Sequence, residues 1–396
     1  CTTVSRREEF VRFARQPGAN VASLCRSFGI ARKTGYKWLR RAAQAQGSDQ
    51  LTAALSDRSR RPHASPGRSD PAMEQAVIEL RQQNPAWGGR KLATRLKALG
   101  YARVPSPSTI TAMLHRHGLI DETISQANDM PQRFEREAPN ELWQMDFKGD
   151  FALHAGGRCY PLTVMDDHSR YNLVLEACAD QKTSTVRSHL TAAFERYGLP
   201  RQMLMDGGPP WGSGCSDWVW TPLTIWLARL NVKVTHGRPY HPQTQGKEER
   251  FHRTLNAEVL RWHDFWDLAQ VQRQLKPWQM VYNFERPHEA LAMGVPGERY
   301  DPSPRAMPST LPPIEYADRE VRQVQCDGAF HFKGQRYRVS KAFAHQPVAL
   351  RPRASDGRWA VYFCQQCIGE LDELAGRVTP PPRSSPGSPT PTAASS

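Results

Sequence analysis

The stretch HPQTQGKEERFHRTL, residues 241–255, sets two adjacent glutamates, Glu248 and Glu249, at the start of a helical pattern just after a Gln-Gly pair. A carboxylate in so basic a segment is either a solvated side chain or a ligand held for a purpose. Two aspartates raise the same question. Asp146 falls mid-strand in LWQMDFKGD among the apolar Trp143, Met145 and Phe147, so its ionised form needs a partner. Asp206 ends the run QMLMD, just before Gly207 and Gly208, at the kind of strand end where α/β sheets gather ligand groups.

Helical geometry separates the two glutamates. At about 100° per residue, Phe251, Leu255, Val259 and Trp262 form one apolar stripe, with Glu248 near its middle. Glu248 is therefore expected to bend out to solvent or to favour the positive end of the helix dipole. Glu249 lies about 100° further round, on a polar face with His252, Arg253 and Asn256. From there it can look across at strand-borne aspartates.

The elements that must position these groups follow from hydrophobic period and turn residues. ELWQMDFKGDF, YPLTVMDDHSRY and NLVLEACA read as consecutive strands. A helix over TSTVRSHLTAAFERYG, the strand before Asp206, a helix near DWVWTPLTIWLARLN, a strand VKVTHGR and the long helix carrying Glu249 come next. This order predicts an α/β core over residues 139–300 with a mixed five-stranded sheet. Residues 301–378 return to a β texture, with hairpin turns at Cys326-Asp327-Gly328, Lys333-Gly334 and Ser355-Asp356-Gly357. They predict a small all-β domain. The tail 379–396, rich in Pro, Ser and Thr, is expected to be disordered.

Charge divides the chain. Residues 1–120 hold 21 of the 53 Lys and Arg but only 7 of the 39 Asp and Glu, so this third carries the whole +14 excess. A basic module joined to a neutral one implies polyanion binding at one end. Within residues 1–50, NVASLCRSF, a turn at Gly29-Ile30 and a helix from Arg32 form a helix-turn-helix pattern, with Val21, Leu24, Phe28, Ile30, Tyr36, Trp38 and Leu39 as its shared core. Its second helix offers Arg32, Lys33, Thr34, Lys37, Arg40 and Arg41 to DNA. Residues 51–70 are expected as a basic linker and 71–120 as a second helix-turn-helix-like unit. In that unit Arg90, Lys91, Arg95 and Lys97 face DNA, and Ser106 or Ser108 caps the third helix. Residues 121–138 form a further linker.

No apolar run approaches the roughly 18 residues of a membrane span, and no apolar signal region opens the chain. The first residue is Cys, as a truncated start gives. Eight scattered cysteines supply one CxxC, Cys364 and Cys367, without a second pair for zinc. Reduced thiols and a cytoplasmic, nucleoid-associated protein are expected.

Taken together, WQMDFKGDF, DDHSR, MLMDGGPPW, HPQTQGKEERFHRTL and YNFERPHEAL resemble the catalytic domain of the integrase-core DDE transposases of bacterial insertion sequences, relatives of retroviral integrases. The similarity spans about residues 139–300. The helix-turn-helix and Pro85-Ala86-Trp87-Gly88 resemble that family's DNA-binding half. The resemblance implies an RNase H-like core and a metal-binding, catalytic Asp146, Asp206 and Glu249, since the family's Glu lies three residues after the Gly of the Gln/Asn-Gly pair, here Gly246. It implies DNA cleavage and strand transfer, DNA ends and target DNA as partners, a homo-oligomer on DNA, and further DNA contacts from Lys247, Arg250 and Arg253. Hard oxygen ligands suit Mg²⁺. Two such ions about 3.5–4 Å apart serve phosphoryl transfer, and Mn²⁺ is an acceptable substitute.

The chain departs from the pattern at Gly207, usually Asn, at Asn256, usually basic, and at Glu248, usually apolar. The spacing of 42 residues between Asp206 and Glu249 is longer than usual, with the insertion in PPWGSGCSDWVW. Asp166-Asp167 is either a second ligand pair or, the better reading, a turn cap beside Ser169 and Arg170. His241 either contacts DNA or orders its loop. Tyr282, Asn283, Arg286 and His288 either support the site or cap and pack, with packing favoured. Two rival functions are a catalytically inactive relative acting as a sequence-specific DNA-binding regulator and a nuclease without strand transfer.

Overall fold

A computed structural model describes residues 3–45, 47–57, 69–120, 135–206, 208, 210–211, 220–236, 246–317 and 320–381. The chain divides into two compact units, Cys1–Arg68 and Ser69–Ser396.

The first unit is built from α1 (Thr3–Ala14), α2 (Val21–Ser27), α3 (Arg32–Ala43) and α4 (Ser48–Leu55). Asn20 caps α2, its side chain accepting from Ser23 N, and Gly29 makes the turn to α3 in the left-handed region at φ 66°. Phe10 fills the centre, edge-on to Phe28 and Trp38. Gly35 lets α3 approach it: a Cβ there lies 2.8 Å from Phe10 Cζ and 2.6 Å from Cys25 Sγ. Two expectations change. Tyr36 is 56% exposed, not core, because the buried side of α3 runs through Gly35 and Ala42. Residues 51–55 are helical rather than linker, since Leu55 buries completely with Phe10 and Val11.

The second unit begins with α5 (Pro71–Gln83), α6 (Gly89–Ala98) and α7 (Pro107–Arg116). Asp70 and Ser106 cap α5 and α7, each with Pro at the first helical position. Their core of Val77, Trp87, Leu92, Leu96, Ile110 and Leu114 also receives Val281 from the core domain. Residues 135–138, expected as linker, are tied to the core domain through Glu135 and Arg136.

The core sheet runs in the order β4-β3-β1-β5-β6, and the two-residue β2 also pairs with β3. These strands are β1 (Trp143–Phe147), β2 (Phe151–Ala152), β3 (Arg158–Asp166), β4 (Asn172–Cys178), β5 (Gln202–Met205) and β6 (Lys233–His236). The first four pair antiparallel, whereas β1, β5 and β6 pair parallel, giving the mixed five-stranded sheet. Successive strand residues face opposite sides. Trp143, Met145 and Phe147 thus join α8 (Thr183–Tyr197) and α9 (Pro222–Arg229). Met165 and Leu175 pack on the other side with α10 (Gly246–Glu258) and α11 (Leu268–Phe284). Each large side chain so buried contributes roughly 1.5–3 kcal/mol. By the same alternation Gln144 and Asp146 face away from the Trp143 side.

The last elements are β7 (Glu320–Gln323), β8 (Ala329–Phe332), β9 (Gln335–Arg338), β10 (Pro347–Pro352), β11 (Arg358–Phe363), β12 (Gln366–Asp372) and β13 (Arg377–Thr379). They pair wholly antiparallel. Lys333 and Gly334, both at positive φ, close the two-residue β8–β9 hairpin. This β layer shares a core with Ile225 and Ala228 of α9. Gln366 exchanges two hydrogen bonds with the Val234 backbone on edge strand β6. Among the described residues, no helix is long and apolar enough to cross a membrane. Gly207, His241, most of the Trp-rich insertion, residues 58–68 and the tail from 382 lie outside the described residues.

Candidate active site at the ends of β1 and β5

The parallel register Trp143↔Met203 and Gln144↔Leu204 brings Asp146 and Asp206 level on neighbouring strands. Asp146 Oδ1 accepts from Phe147 N at 2.8 Å. Burial pushes its carboxyl up to about 6, and the charge of Asp206 adds to the rise against the Phe147 N–H and Lys148. The Asp206 carbonyl lies 2.9 Å from His236 Nδ1 on β6. The two strand-borne aspartates therefore share one electrostatic environment.

Glu249 stands in the first turn of α10, exposed, with Arg250, Arg253 and Asn256 also exposed. Among the described residues no group of three His, Cys, Asp or Glu side chains is placed to hold a metal ion. The two aspartates are thus together, and Glu249 is on the helix beside them without joining them.

Glu248 departs from expectation. It does not bend to solvent but is 2% exposed, because its angle on α10 is that of Phe251 and Leu255, which are buried against the sheet. Its Oε2 lies 3.1 Å from Thr163 Oγ1 and 3.6 Å from His252 Nε2. Thr163, the register partner of Asp146, also lies 2.9 Å from Asp146 O and 2.9 Å from His252 Nε2. A hydroxyl has one proton and two lone pairs. Thr163 Oγ1 therefore shares its one proton between the Asp146 carbonyl and Glu248 Oε2, both of which accept from it, and accepts from His252 Nε2 when that nitrogen carries the proton. Burial, then the charge of Asp146, raises the Glu248 carboxyl well above its ordinary value, and burial, then Lys148, lowers His252 to about 3. His252 is accordingly buried rather than on the polar face with Glu249. Trp262 is likewise no part of the apolar stripe: α10 ends at Glu258 and the indole is 51% exposed.

Two cations expected on DNA point inward. Lys247 Nζ lies 2.5 Å from Asp167 Oδ1, with side-chain exposures of 16% and 0%. Burial lowers its ammonium to about 8 against the pull of Asp167. Lys91 is lowered to about 8 by burial and by Arg286, with Glu258 and Glu289 opposing. Arg95 pairs with Glu285 at 2.5 Å. The α6 face thought to meet DNA instead meets the core domain, because its basic residues find acidic partners around α11. Arg90 and Lys97 stay exposed. On α3, Arg32, Lys33, Lys37 and Arg40 are exposed, while Thr34 and Arg41 are half-buried.

Asp166 caps its turn, Oδ1 accepting from Ser169 N and Oγ at 2.8 and 2.6 Å, with Arg170 at φ 65°. Asn283 Oδ1 accepts from Asn172 N at 2.8 Å, Arg286 pairs with Glu258 at 2.9 Å, and His288 meets the Tyr282 ring edge-on. These are packing and capping roles. Thr163 went unnoticed in the sequence; a lone hydroxyl within the apolar run YPLTVM is the signal that marks it.

Four family descriptions match along the chain: a homeodomain-like domain over residues 34–114, an integrase core domain over 136–242 and again over 230–296, and the C-terminal domain of IS481 family transposases over 319–379. An uncharacterized 31.7 kDa protein of insertion element IS407 from Burkholderia multivorans is 30% identical over 161 residues, covering 41% of this chain and 55% of that protein. The chain thus spans about half the length of this relative. The Gag-Pro-Pol polyprotein of mouse mammary tumor virus is 28% identical over 121 residues, 31% of this chain and 6% of the polyprotein. Among solved structures, a chain of the simian T-cell lymphotropic virus intasome complex aligns at TM-score 0.38 and 13% identity, covering 75% of this chain and 95% of that one. The catalytic core domain of BIV integrase aligns at TM-score 0.31 and 19% identity, covering 40% and 92%. The chain thus carries a homeodomain-like domain, an integrase core domain and an IS481-type transposase C-terminal domain in this order, and is similar to the integrase-core transposases of insertion sequences.

Proposed function

We propose that this protein binds insertion-element ends and carries out divalent-metal-dependent DNA cleavage and strand transfer, with Asp146, Asp206 and Glu249 as its catalytic carboxylates. The observation that carries this reading is the level pairing of Asp146 and Asp206 on parallel strands, where the charge of one raises the other. Such a pair is relieved by a hard cation, and its oxygens suit Mg²⁺, with Mn²⁺ as a substitute. Glu249 completes the set from α10. When bound, two such ions activate the attacking oxygen and neutralise the leaving one.

The reaction has two in-line displacements at phosphorus. Water attacks a phosphodiester at the element end, leaving a 5′-phosphate on one side and freeing the element's 3′-OH; that 3′-OH then attacks a target phosphodiester, joining the element to the target 5′-phosphate and displacing the target strand's 3′-OH. The chain's own residues hold the reactants. Exposed Arg250 and Arg253 flank Glu249 and reach phosphates, and α3 reads the ends. A homo-oligomer on two DNA ends, acting in the cytoplasm at the nucleoid, is the natural assembly.

The test is cleavage of a plasmid carrying the element ends with Mg²⁺. Asp146→Asn, Asp206→Asn and Glu249→Gln each abolish cleavage while the folded protein still binds DNA. A fully active Glu249→Gln beside a dead Glu248→Gln overturns the assignment of the third carboxylate. A wild-type protein that binds the ends and never cuts them is a DNA-binding regulator instead.

A further inference from the structure

One buried carboxylate ties the strand that carries Asp146 to the helix that carries Glu249. Asp167, whose side chain is fully buried, lies just past the end of β3. Its Oδ1 accepts from Lys247 Nζ at 2.5 Å and from Gln144 Nε2 at 2.7 Å, and its Oδ2 accepts from Arg136 N at 2.8 Å. Its backbone takes part as well: Asp167 N donates to Leu142 O at 2.9 Å, and Asp167 O accepts from Lys247 Nζ at 3.1 Å. Gln144 sits two residues before Asp146 on β1, on the same strand face. Lys247 sits two residues before Glu249, in the first turn of α10.

The polar anchors of that first turn on the sheet are Lys247 to Asp167 and Glu248 to Thr163. The apolar anchoring of α10 begins only at Phe251. Thr163 is a single hydroxyl shared with two other groups. The ammonium–carboxylate contact is the stronger of the two, since charge-assisted hydrogen bonds are about twice as strong as neutral ones. It is also directional, because the Asp167 oxygens are already oriented by Gln144 and Arg136.

We propose that Asp167 and Lys247 are positioning residues that lock the first turn of α10 to β1 and thereby set Glu249 at its working distance from Asp146. The inference rests on the catalytic reading given above for its consequence, though not for its geometry. It also assigns Lys247 away from DNA. A lysine held by a buried carboxylate and a carbonyl, its side chain only 16% exposed, is turned away from a phosphate, whereas Arg250 and Arg253 remain exposed.

The test compares the full chain with Lys247→Met, Lys247→Arg and the double variant Lys247→Met, Asp167→Asn, which leaves no buried carboxylate unpaired. The first measurement needs neither metal nor DNA. Amide hydrogen exchange over residues 248–252 should quicken in Lys247→Met and in the double variant, with α11 unchanged and Lys247→Arg intermediate. Exchange identical to wild type in the double variant overturns the lock. The second measurement is Mn²⁺ binding followed by the spectrum of the ion, together with cleavage of element ends. Displacements near 1 Å cost about a hundredfold in rate, so cleavage should fall by that order and Mn²⁺ binding should weaken, while DNA affinity stays within about twofold. Lost DNA affinity with wild-type Mn²⁺ binding makes Lys247 a phosphate contact and overturns the inference. If wild type itself shows no metal-dependent cleavage, the catalytic reading falls, and the exchange measurement still decides the lock.

Discussion

Glu248 Oε2 lies 3.1 Å from Thr163 Oγ1, across 85 residues of sequence, inside the layer between α10 and the sheet. Its neighbour Glu249 faces outward. Adjacent residues of identical type thus occupy opposite environments, because one step along a helix turns the side chain by about 100°.

This difference predicts opposite outcomes for the same substitution. In Glu248 the folded state raises the carboxyl above its unfolded value. Its stabilising contribution is therefore present below the unfolded value of about 4.3 and is lost as pH rises through the folded one. Glu248→Gln should melt with wild type at pH 4 and at a higher temperature than wild type at pH 8, with cleavage retained. Glu249→Gln should melt like wild type at both and lose cleavage. Thermal melts at the two pH values and one plasmid assay check both.

His288 predicts the acid limb. Burial, then Arg286, lowers it to about 3. The unfolded side chain takes up a proton near pH 6.5, so the unfolded state binds more protons as pH falls. Stability should be present above about 6.5 and decline between there and about 3. His288→Gln should flatten this part of the pH–stability curve measured by denaturant titration. An unchanged slope rules out the buried neutral imidazole.

DNA recognition should separate along α3. Exposed Lys33 lies in its first turn and exposed Arg40 in its last. Lys33→Ala should narrow the preference for element ends over random DNA by roughly 1–3 kcal/mol. Arg40→Ala should weaken binding to both DNAs alike and lower the salt slope by about one phosphate contact. Competition binding at several salt concentrations measures both effects. Equal losses in the two variants make α3 a phosphate clamp only.

Lys91 should behave unlike Arg40 despite its equal formal charge. Its surroundings are Arg286, Glu258, Glu289 and Arg250. Lys91→Met should leave the salt slope of DNA binding unchanged and alter thermal stability instead. A reduced slope with unchanged stability returns Lys91 to the DNA-facing surface.

Close packing of α6 on α7 gives a further check. A Cβ at Gly89 falls 2.3 Å from the Pro107 carbonyl oxygen, a backbone atom that cannot step aside. Gly89→Ala should destabilise the second unit by about 1–3 kcal/mol, read from its denaturation midpoint, although alanine is the better helix former.

Local period and turn chemistry carry much of the architecture. Trp143, Met145 and Phe147 alternate, and so face one side of the sheet whatever packs there. Asn20, Gly29 and the Lys333-Gly334 pair mark a cap and two turns, because their backbone demands are satisfied within a few residues. The angle of Glu248 toward the core was equally legible. Its burial was not, since that depends on Thr163 and His252 supplying a polar pocket at this depth. Charge misled in the same way. Lys91 and Lys247 read as surface cations until α11 and Asp167 are folded against them, for a side chain's sign says nothing about which distant carboxylate closes over it. Asp146 and Asp206 show both sides: each was marked by its place on a strand, but only the parallel register of β1 with β5 set them level and let the charge of one raise the other.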